Sequence, residues 1–305
     1  MDISVIIPIY NKVDYVERCF RSIFVQEFVG DYEVVAVDDG STDGSGELCE
    51  RLSHDEGRLR VLHVPNGGVT AARRIGLEQS RGDYVMFADA DDELLPGALS
   101  TLYGAMLQSG ADEVIGTYVD QHGRSYDSGL RGLVEPEVVV RHLLGLRGGI
   151  CVMWGIIFRR DLLDGCLAFS RAIIEREDSL TQIKCLMKNP RVLFIGDACY
   201  VHYEDVPNNR RETLEWIRIY DAELWATLDG HGERYRSAFV GHQLKVYEKF
   251  IDRRAFHVFK DYYRPLRSQL SSDIPLMDRI AILLPPRLSY LLVHGYKWMM
   301  RVLSP

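Results

Sequence analysis

Glu33-Val34-Val35-Ala36-Val37-Asp38-Asp39-Gly40-Ser41-Thr42-Asp43 runs an apolar segment straight into an acidic turn, and Tyr84-Val85-Met86-Phe87-Ala88-Asp89-Ala90-Asp91-Asp92 repeats the arrangement further along. Each apolar segment is short and lacks polar alternation, as a strand buried on both faces requires. Carboxylates clustered at a strand end repel one another and are costly to desolvate unless a cation joins them. Two such strands deliver both clusters to one edge of one sheet. A divalent metal holding a phosphorylated substrate is the expected occupant of that edge.

The flanking sequence extends the pattern. Ile3-Ser4-Val5-Ile6-Ile7-Pro8 predicts a first buried strand, and Val16, Phe20, Ile23 and Phe24 recur at helical spacing after it. A helix over about 44–53, with Asp43 as its N-cap, a strand from Leu59 to Val64 and a helix over about 69–80 lead to the second acidic strand. Strands alternating with helices imply right-handed βαβ units and a parallel sheet, whose ligands sit outside the carboxyl ends of the strands. Pro96 starts a further helix ending near Gly110, Glu113 to Val119 reads as a strand, and Gln121 to Gly129 as a polar hairpin. The stretch from about 135 to 205 is less regular, until Arg176-Glu177-Asp178 heads a helix with apolar positions Leu180, Ile183 and Leu186. Strand signals fade after Pro207. The expected organisation is an α/β domain over residues 1–207, with halves at 1–110 and 111–207, and a helical region over 208–305.

Composition bounds the function. A chain of 305 residues with 47% hydrophobic and 26% charged residues is an ordinary globular protein, and its net charge of −8 argues against nucleic-acid binding. Residues 253–305 hold nine Lys or Arg and three Asp, a balance of +6, which leaves −14 on the rest. That basic end suits an anionic surface. The six cysteines show no CxxC pair and no metal spacing, so reduced thiols in a cytoplasmic protein are expected, and the strand-like start leaves no room for a secretory leader. Ile280 to Pro286 is too short to span a bilayer. The stripe Leu288, Leu291, Leu292 and Tyr296, beside Arg287, Lys297, Trp298 and Arg301, suits either a membrane interface or packing on the protein or a dimer partner.

Four motifs in order, Val5-Ile6-Ile7-Pro8-Ile9-Tyr10-Asn11, Asp38 to Asp43, Asn66-Gly67-Gly68-Val69-Thr70-Ala71-Ala72-Arg73 and Asp89 to Asp92, resemble family 2 glycosyltransferases of the GT-A fold over roughly residues 1–205. The resemblance implies a nucleotide-sugar site built from Pro8, Tyr10, Asp39, Asn66, Arg73, Asp89 and Asp91. Tyr10 and Asp39 contact the nucleobase, usually uracil. Asp89 faces the donor sugar or its ribose, Asp91 binds Mn²⁺ or Mg²⁺, and Asp92 supports the turn or the sugar. Glu177-Asp178 matches the family's acidic pair, which makes Asp178 the general base and Glu177 the residue that orients the acceptor. His202 lies where relatives carry a His or Arg on the metal or diphosphate, and Trp154 offers a stacking face for an acceptor sugar.

Each residue has a plainer reading. Tyr10 and Trp154 suit a core, Asp39 and Glu177-Asp178 suit helix starts, and a lone His in a strand is ordinarily packed or hydrogen-bonded. A glycine turn before a helix is usually only a turn, although its free N–H groups favour an anion.

The function expected is metal-dependent, inverting transfer from a nucleotide sugar, UDP-linked by the resemblance, to a hydroxyl of a glycan or lipid-linked glycan. The absence of a QxxRW element points to one sugar per encounter. The alternatives are a catalytically silent sugar-nucleotide-binding scaffold subunit and, less consistent with Pro8-Ile9-Tyr10-Asn11, a nucleotidyltransferase.

Overall fold

The computed structural model describes residues 1–146, 151–204 and 213–303. Strands β1 (Ile3–Ile9), β2 (Tyr32–Asp38), β3 (Leu59–His63) and β4 (Tyr84–Phe87) alternate with helices α1 (Val16–Phe24), α2 (Ser45–Asp55) and α3 (Val69–Gln79). The four strands are parallel in the order β3-β2-β1-β4. Helices cover β1 and β2 on both faces, so every residue from Val34 to Val37 is fully buried, which is why these runs show no polar alternation. Their register aligns Ile9 with Asp38 and Asp38 with His63, so the strands end together and open their loops at one edge.

Close packing of α3 sets where its N-terminus lies. A Cβ on Gly76 would come within 2.4 Å of Ile6 Cγ2, so only glycine lets the helix sit this low on β1.

Beyond β4 the chain adds β5 (Glu93–Leu94), α4 (Ala98–Ser109), β6 (Glu113–Asp120), β7 (Ser125–Tyr126), β8 (Gly132–Val134), α5 (Pro136–Leu144), β9 (Ile156–Arg159), α6 (Glu177–Leu186) and β10 (Val192–His202). The sheet continues β4-β9-β6-β10-β5, with β9 antiparallel to both neighbours, β10 parallel to β6, and β5 antiparallel to β10. β7 and β8 add short antiparallel pairings to β6 and β10.

The irregular reading of 135–205 has a physical origin. β9 is only four residues long, and β10 shifts register between Phe194 and Tyr200, which breaks any two-residue period. Two helix starts also differ from expectation. α4 begins at Ala98 behind Gly97 at φ 78°, and Gly44 at φ 94° precedes α2 while Asp43 accepts from the Ser45 backbone N–H at 3.0 Å.

The chain divides into two compact units, one of Met1–Val139 with Gly148–Glu212, the other of Val140–Arg147 with Thr213–Pro305. The expected cut between 207 and 208 lies outside the described residues, and the recruitment of 140–147 into the second unit has no sequence signal. That unit holds α7 (Leu214–Asp229), α8 (Arg236–Asp252), α9 (Leu276–Leu283) and α10 (Pro286–Leu303). Tyr220, Leu224, Val240, Leu244, Tyr247, Tyr263 and Ile282 form its core, and buried Asp221 accepts from Gln243 at 2.8 Å and Tyr262 at 2.7 Å. Among the described residues no helix is long and apolar enough to cross a membrane.

Glu113, at the start of β6, is buried with its Oε2 unpartnered, and burial, reinforced by Cys166, pushes its pKa up to about 8. Its carboxyl ionises in the unfolded chain near pH 4.5 but in the folded protein only near pH 8. Folding stability from this group therefore falls as pH rises through that window, by on the order of a few kcal/mol. Urea unfolding of Glu113→Gln from pH 5 to pH 8.5 is expected to lack this decline; an unchanged slope would show the carboxyl to be ionised in the fold.

Candidate active site

The loop after β1 leaves Tyr10 about half exposed, at 49%, beside the carboxyl edge of the sheet. Asn11 takes a left-handed conformation at φ 53°, and its amide oxygen accepts from the Thr42 N–H at 2.8 Å. The Asn11, Lys12 and Val13 backbone N–H groups are received by Ser41 Oγ, Ser45 Oγ and Asp43 Oδ2 at 3.0, 2.8 and 3.1 Å. The first loop is thus fastened to the acidic turn after β2 along three successive residues.

Asp39 is almost wholly buried, and its carboxylate accepts from the Gly67 and Gly68 N–H groups at 2.6 and 2.8 Å. Asn66 Nδ2 donates to the Asp39 carbonyl at 3.0 Å, and Arg171 donates to Asn66 Oδ1 at 3.2 Å. Asp39 and Asn66-Gly67-Gly68 therefore form one unit just before α3. A carboxylate with one bond per oxygen keeps lone pairs for a further donor, so the unit remains able to accept a base N–H. Pro8 stays within β1, paired with Val37. A cavity of about 310 Å³ is lined by this turn and the start of α3 together with residues from Leu167 to Ile174, and Tyr10, Asp39 and the acids of 89–92 are not in its lining.

At the second acidic corner each carboxylate has a different partner. Arg73, only 3% exposed, donates to Asp89 Oδ1 at 3.0 Å and to Asp178 Oδ1 at 2.5 Å, while Asp178 Oδ2 accepts from the Met153 N–H at 3.2 Å. Burial disfavours the Arg73 charge, but Asp178, Asp89 and Glu177 more than restore it and hold the guanidinium firmly protonated. Burial raises Asp89 to about 6, assisted by Asp92, Asp178 and Asp91 and opposed by Arg73. Asp92 accepts from the Tyr203 N–H at 2.9 Å and faces His202 Nδ1 at 3.1 Å; burial raises its pKa against those two bonds. Although burial disfavours a charged His202, its contact with Asp92 and the charges of Asp89 and Asp91 raise its pKa.

Asp91 meets Lys12 Nζ through Oδ2 at 2.5 Å, and its carbonyl accepts from Arg18 at 2.5 Å. Arg18 also pairs with Glu93 at 3.1 Å and lies 3.7 Å over the Tyr203 ring. Neither Lys12 nor Arg18 was singled out from the sequence. A Lys in a loop and an Arg on a surface helix are ordinarily solvated charges, and only the return of β10 beside β5 shows what Arg18 touches.

The sequence candidates thus fall into two groups. Arg73 joins Asp89 to Asp178, with Asp91, Asp92 and His202 in the same corner, whereas Tyr10, Asp39 and Asn66 lie on the β1–β2–α3 side. Glu177 opens α6 beside Asp178. Trp154 requires correction. At 5% exposure it stacks on Tyr200 at 4.5 Å and on His202 at 5.1 Å, with Tyr118 edge-on at 4.5 Å, so it braces His202 and presents no open face to a sugar.

The donor set decides what kind of cation fits. Among the described residues no three His, Cys, Asp or Glu side chains converge on one point. With Nδ1 facing Asp92, His202 keeps Nε2 for a ligand, oriented as metal-binding histidines are by carboxylates. Asp91 with His202 suits an ion that takes one or two protein ligands and fills its shell with phosphate oxygens and water, as Mg²⁺ and Mn²⁺ do.

The chain belongs to glycosyl transferase family 2, whose pattern it matches over residues 4–167. It is 30% identical over 219 residues to the glycosyltransferase EpsJ of Bacillus subtilis, covering 69% of this chain and 63% of EpsJ, so it spans less than two thirds of that relative. The crystal structure of S. aureus TarS 1–349 superposes with a TM-score of 0.72 at 20% identity, covering 98% of this chain and 92% of that one; the complex of TarS 1–349 with UDP-GlcNAc gives 0.68. The mannosyltransferase PcManGT of Pyrobaculum calidifontis, solved with GDP-Man and Mn²⁺, gives 0.53 at 18% identity, covering 99% of this chain and 76% of that one. The fold is GT-A.

Removing the buried guanidinium leaves two acids facing each other. Arg73→Met is expected to lose about 3–5 kcal/mol in urea unfolding at pH 7.5. Adding Asp178→Asn should recover part of that loss, because one stranded charge is then gone. A double variant that loses the full sum of the two single losses would show that the two residues do not depend on each other.

Proposed function

We propose that this family 2 glycosyltransferase moves a sugar from a UDP-linked donor to a hydroxyl of a glycan or lipid-linked glycan, with inversion at the anomeric carbon and one sugar per encounter. The observation that carries this reading is the bond of Arg73 to both Asp89 and Asp178. Asp89, expected at the donor, and Asp178, expected at the acceptor, share the two arms of one guanidinium, which supports a reaction whose atoms meet beside it. The UDP-GlcNAc complex of TarS supports the donor class, and the GDP-Man and Mn²⁺ complex of PcManGT supports a divalent cation.

In this mechanism Tyr10 stacks on the base and Asp39 accepts from its ring N–H, while Asn66 and Gly67-Gly68 hold the turn that shapes the pocket. Asp89 engages the donor sugar or ribose. Asp91 and His202 would hold Mg²⁺ or Mn²⁺, which supplies positive charge to the leaving diphosphate when bound. Asp178 takes the acceptor hydroxyl's proton as the new C–O bond forms on one face of the anomeric carbon and the bond to diphosphate breaks on the other. Its orientation is set by Arg73 on one oxygen and the Met153 N–H on the other. Glu177, adjacent at the start of α6, would receive the acceptor.

UDP release from a panel of UDP-sugars with Mn²⁺ tests the reading. Wild type is expected to turn over, slowly with water as acceptor and faster with the correct glycan. Asp178→Asn should lower transfer by about 10²–10⁴-fold while retaining UDP binding, and EDTA should suppress it. Equal rates in Asp178→Asn would remove that residue from the base role.

A lipid-linked acceptor would bring the second unit to a membrane surface. Leu276, Leu283, Leu288 and Leu291 on α9 and α10 are exposed, and residues 253–305 carry the +6 balance. Co-sedimentation of the full chain with phosphatidylglycerol vesicles is expected at low salt and to weaken toward 0.5 M NaCl, since the attraction is screened over about 10 Å at 0.1 M salt. Leu288→Asp with Leu291→Asp should reduce it; binding indifferent to both changes would exclude this surface.

A further inference from the structure

Lys12 is the cation paired with the carboxylate of the expected metal ligand, and the fold fixes where it starts. Its backbone N–H is held by Ser45 Oγ at 2.8 Å, and the neighbouring Asn11 and Val13 N–H groups are received by Ser41 and Asp43. Left-handed Asn11 turns the chain so that the Lys12 side chain leaves toward the acidic corner and its ammonium meets Asp91 Oδ2 at 2.5 Å. The pair is neither buried nor free in solvent, with side chains 25% and 17% exposed. An ammonium on a four-carbon stem is a compact point charge that can change partners, whereas the guanidinium of Arg73 is locked between two acids. The other nearby cation, Arg18, is committed to the Asp91 carbonyl and to Glu93.

We infer that Lys12 is an exchangeable counter-ion of the donor site: it neutralises Asp91 while no divalent cation is bound, and it turns to the diphosphate once one occupies that carboxylate. This rests on the donor reading given above and adds a residue to it. Asp91 cannot serve Lys12 and a divalent cation through the same oxygen without mutual repulsion, so Lys12 opposes cation entry. Once displaced, the ammonium lies at the edge of the sheet where the donor phosphates are expected, and there it adds a protein-borne positive charge. Lys12 is a binding and positioning residue in this scheme; the proton of the reaction never passes through it.

The two roles oppose each other, and that gives the test its signature. UDP binding to the full chain is followed by calorimetry in EDTA and across a Mn²⁺ titration. In Lys12→Met the Mn²⁺ concentration that gives half of the enhancement of UDP binding should fall about two- to fivefold, in keeping with the loss of a partly exposed ion pair. UDP affinity at saturating Mn²⁺, where the ammonium has turned to the diphosphate, should fall by about the same factor. A general loss of fold weakens both; should Lys12→Met not fold, Lys12→Gln carries the same pair of measurements. In an Asp91→Asn background, Lys12→Met should no longer move the Mn²⁺ midpoint. A midpoint that stays or rises in the single variant, UDP affinity at saturating Mn²⁺ that does not fall, or wild-type UDP binding that ignores Mn²⁺ overturns the inference. Wild type that binds no UDP at any Mn²⁺ concentration overturns the donor reading itself.

Discussion

The guanidinium of Arg73 is buried between Asp89 and Asp178, and the geometry of the corner follows from that burial. An arginine out of water demands anionic partners, and acids this close demand a cation. Asp89 leaves β4, Asp178 opens α6 and Arg73 sits in α3, so one cluster of charges ties together three elements that are far apart in sequence. Such a cluster adds little net stability compared with apolar packing, because desolvation consumes much of the attraction. What it confines is geometry: the two carboxylates on which a transfer reaction would depend are held on the arms of one rigid planar group.

The same principle of local neutralisation distributes the remaining acids. Asp91 takes Lys12, Asp92 takes His202 and the Tyr203 N–H, Glu93 takes Arg18, and Asp39 takes two backbone N–H groups. Each carboxylate thereby acquires a distinct environment despite near-identical chemistry in the sequence. Trp154 extends the arrangement into the core, where stacking on Tyr200 and His202 holds the imidazole in place. Tyr200 in turn accepts the Asp89 N–H at 2.9 Å through its hydroxyl, so β10 supports both Asp89 and His202. The short pairing of β5 with β10 brings that strand to the acidic turn.

Much of the first half was legible because its signals are local. β1, β2 and β4 are largely apolar runs, β3 is a shorter, more polar one, and α1 between the first two shows clear apolar spacing, so the order of elements followed from pattern alone. The later half was less legible for equally physical reasons. β9 is too short to show a period, β10 carries register shifts, and α5 has its C-terminal residues in the second unit. Trp154 was misread as a sugar platform because an aromatic beside glycine looks the same in sequence whether its ring faces solvent or three other rings.

By itself the sequence determined the alternation of strands and helices, the edge at which acids collect and the residue types gathered there, since hydrophobic period and turn chemistry are properties of neighbours along the chain. Only the tertiary structure decided which acid meets which cation. Arg73 with Asp178, Lys12 with Asp91 and Arg18 with Glu93 are contacts across the sheet edge, set by how far each strand runs and how closely each helix packs. Ion pairing depends on distances of a few ångströms, and no periodicity in the chain encodes those distances.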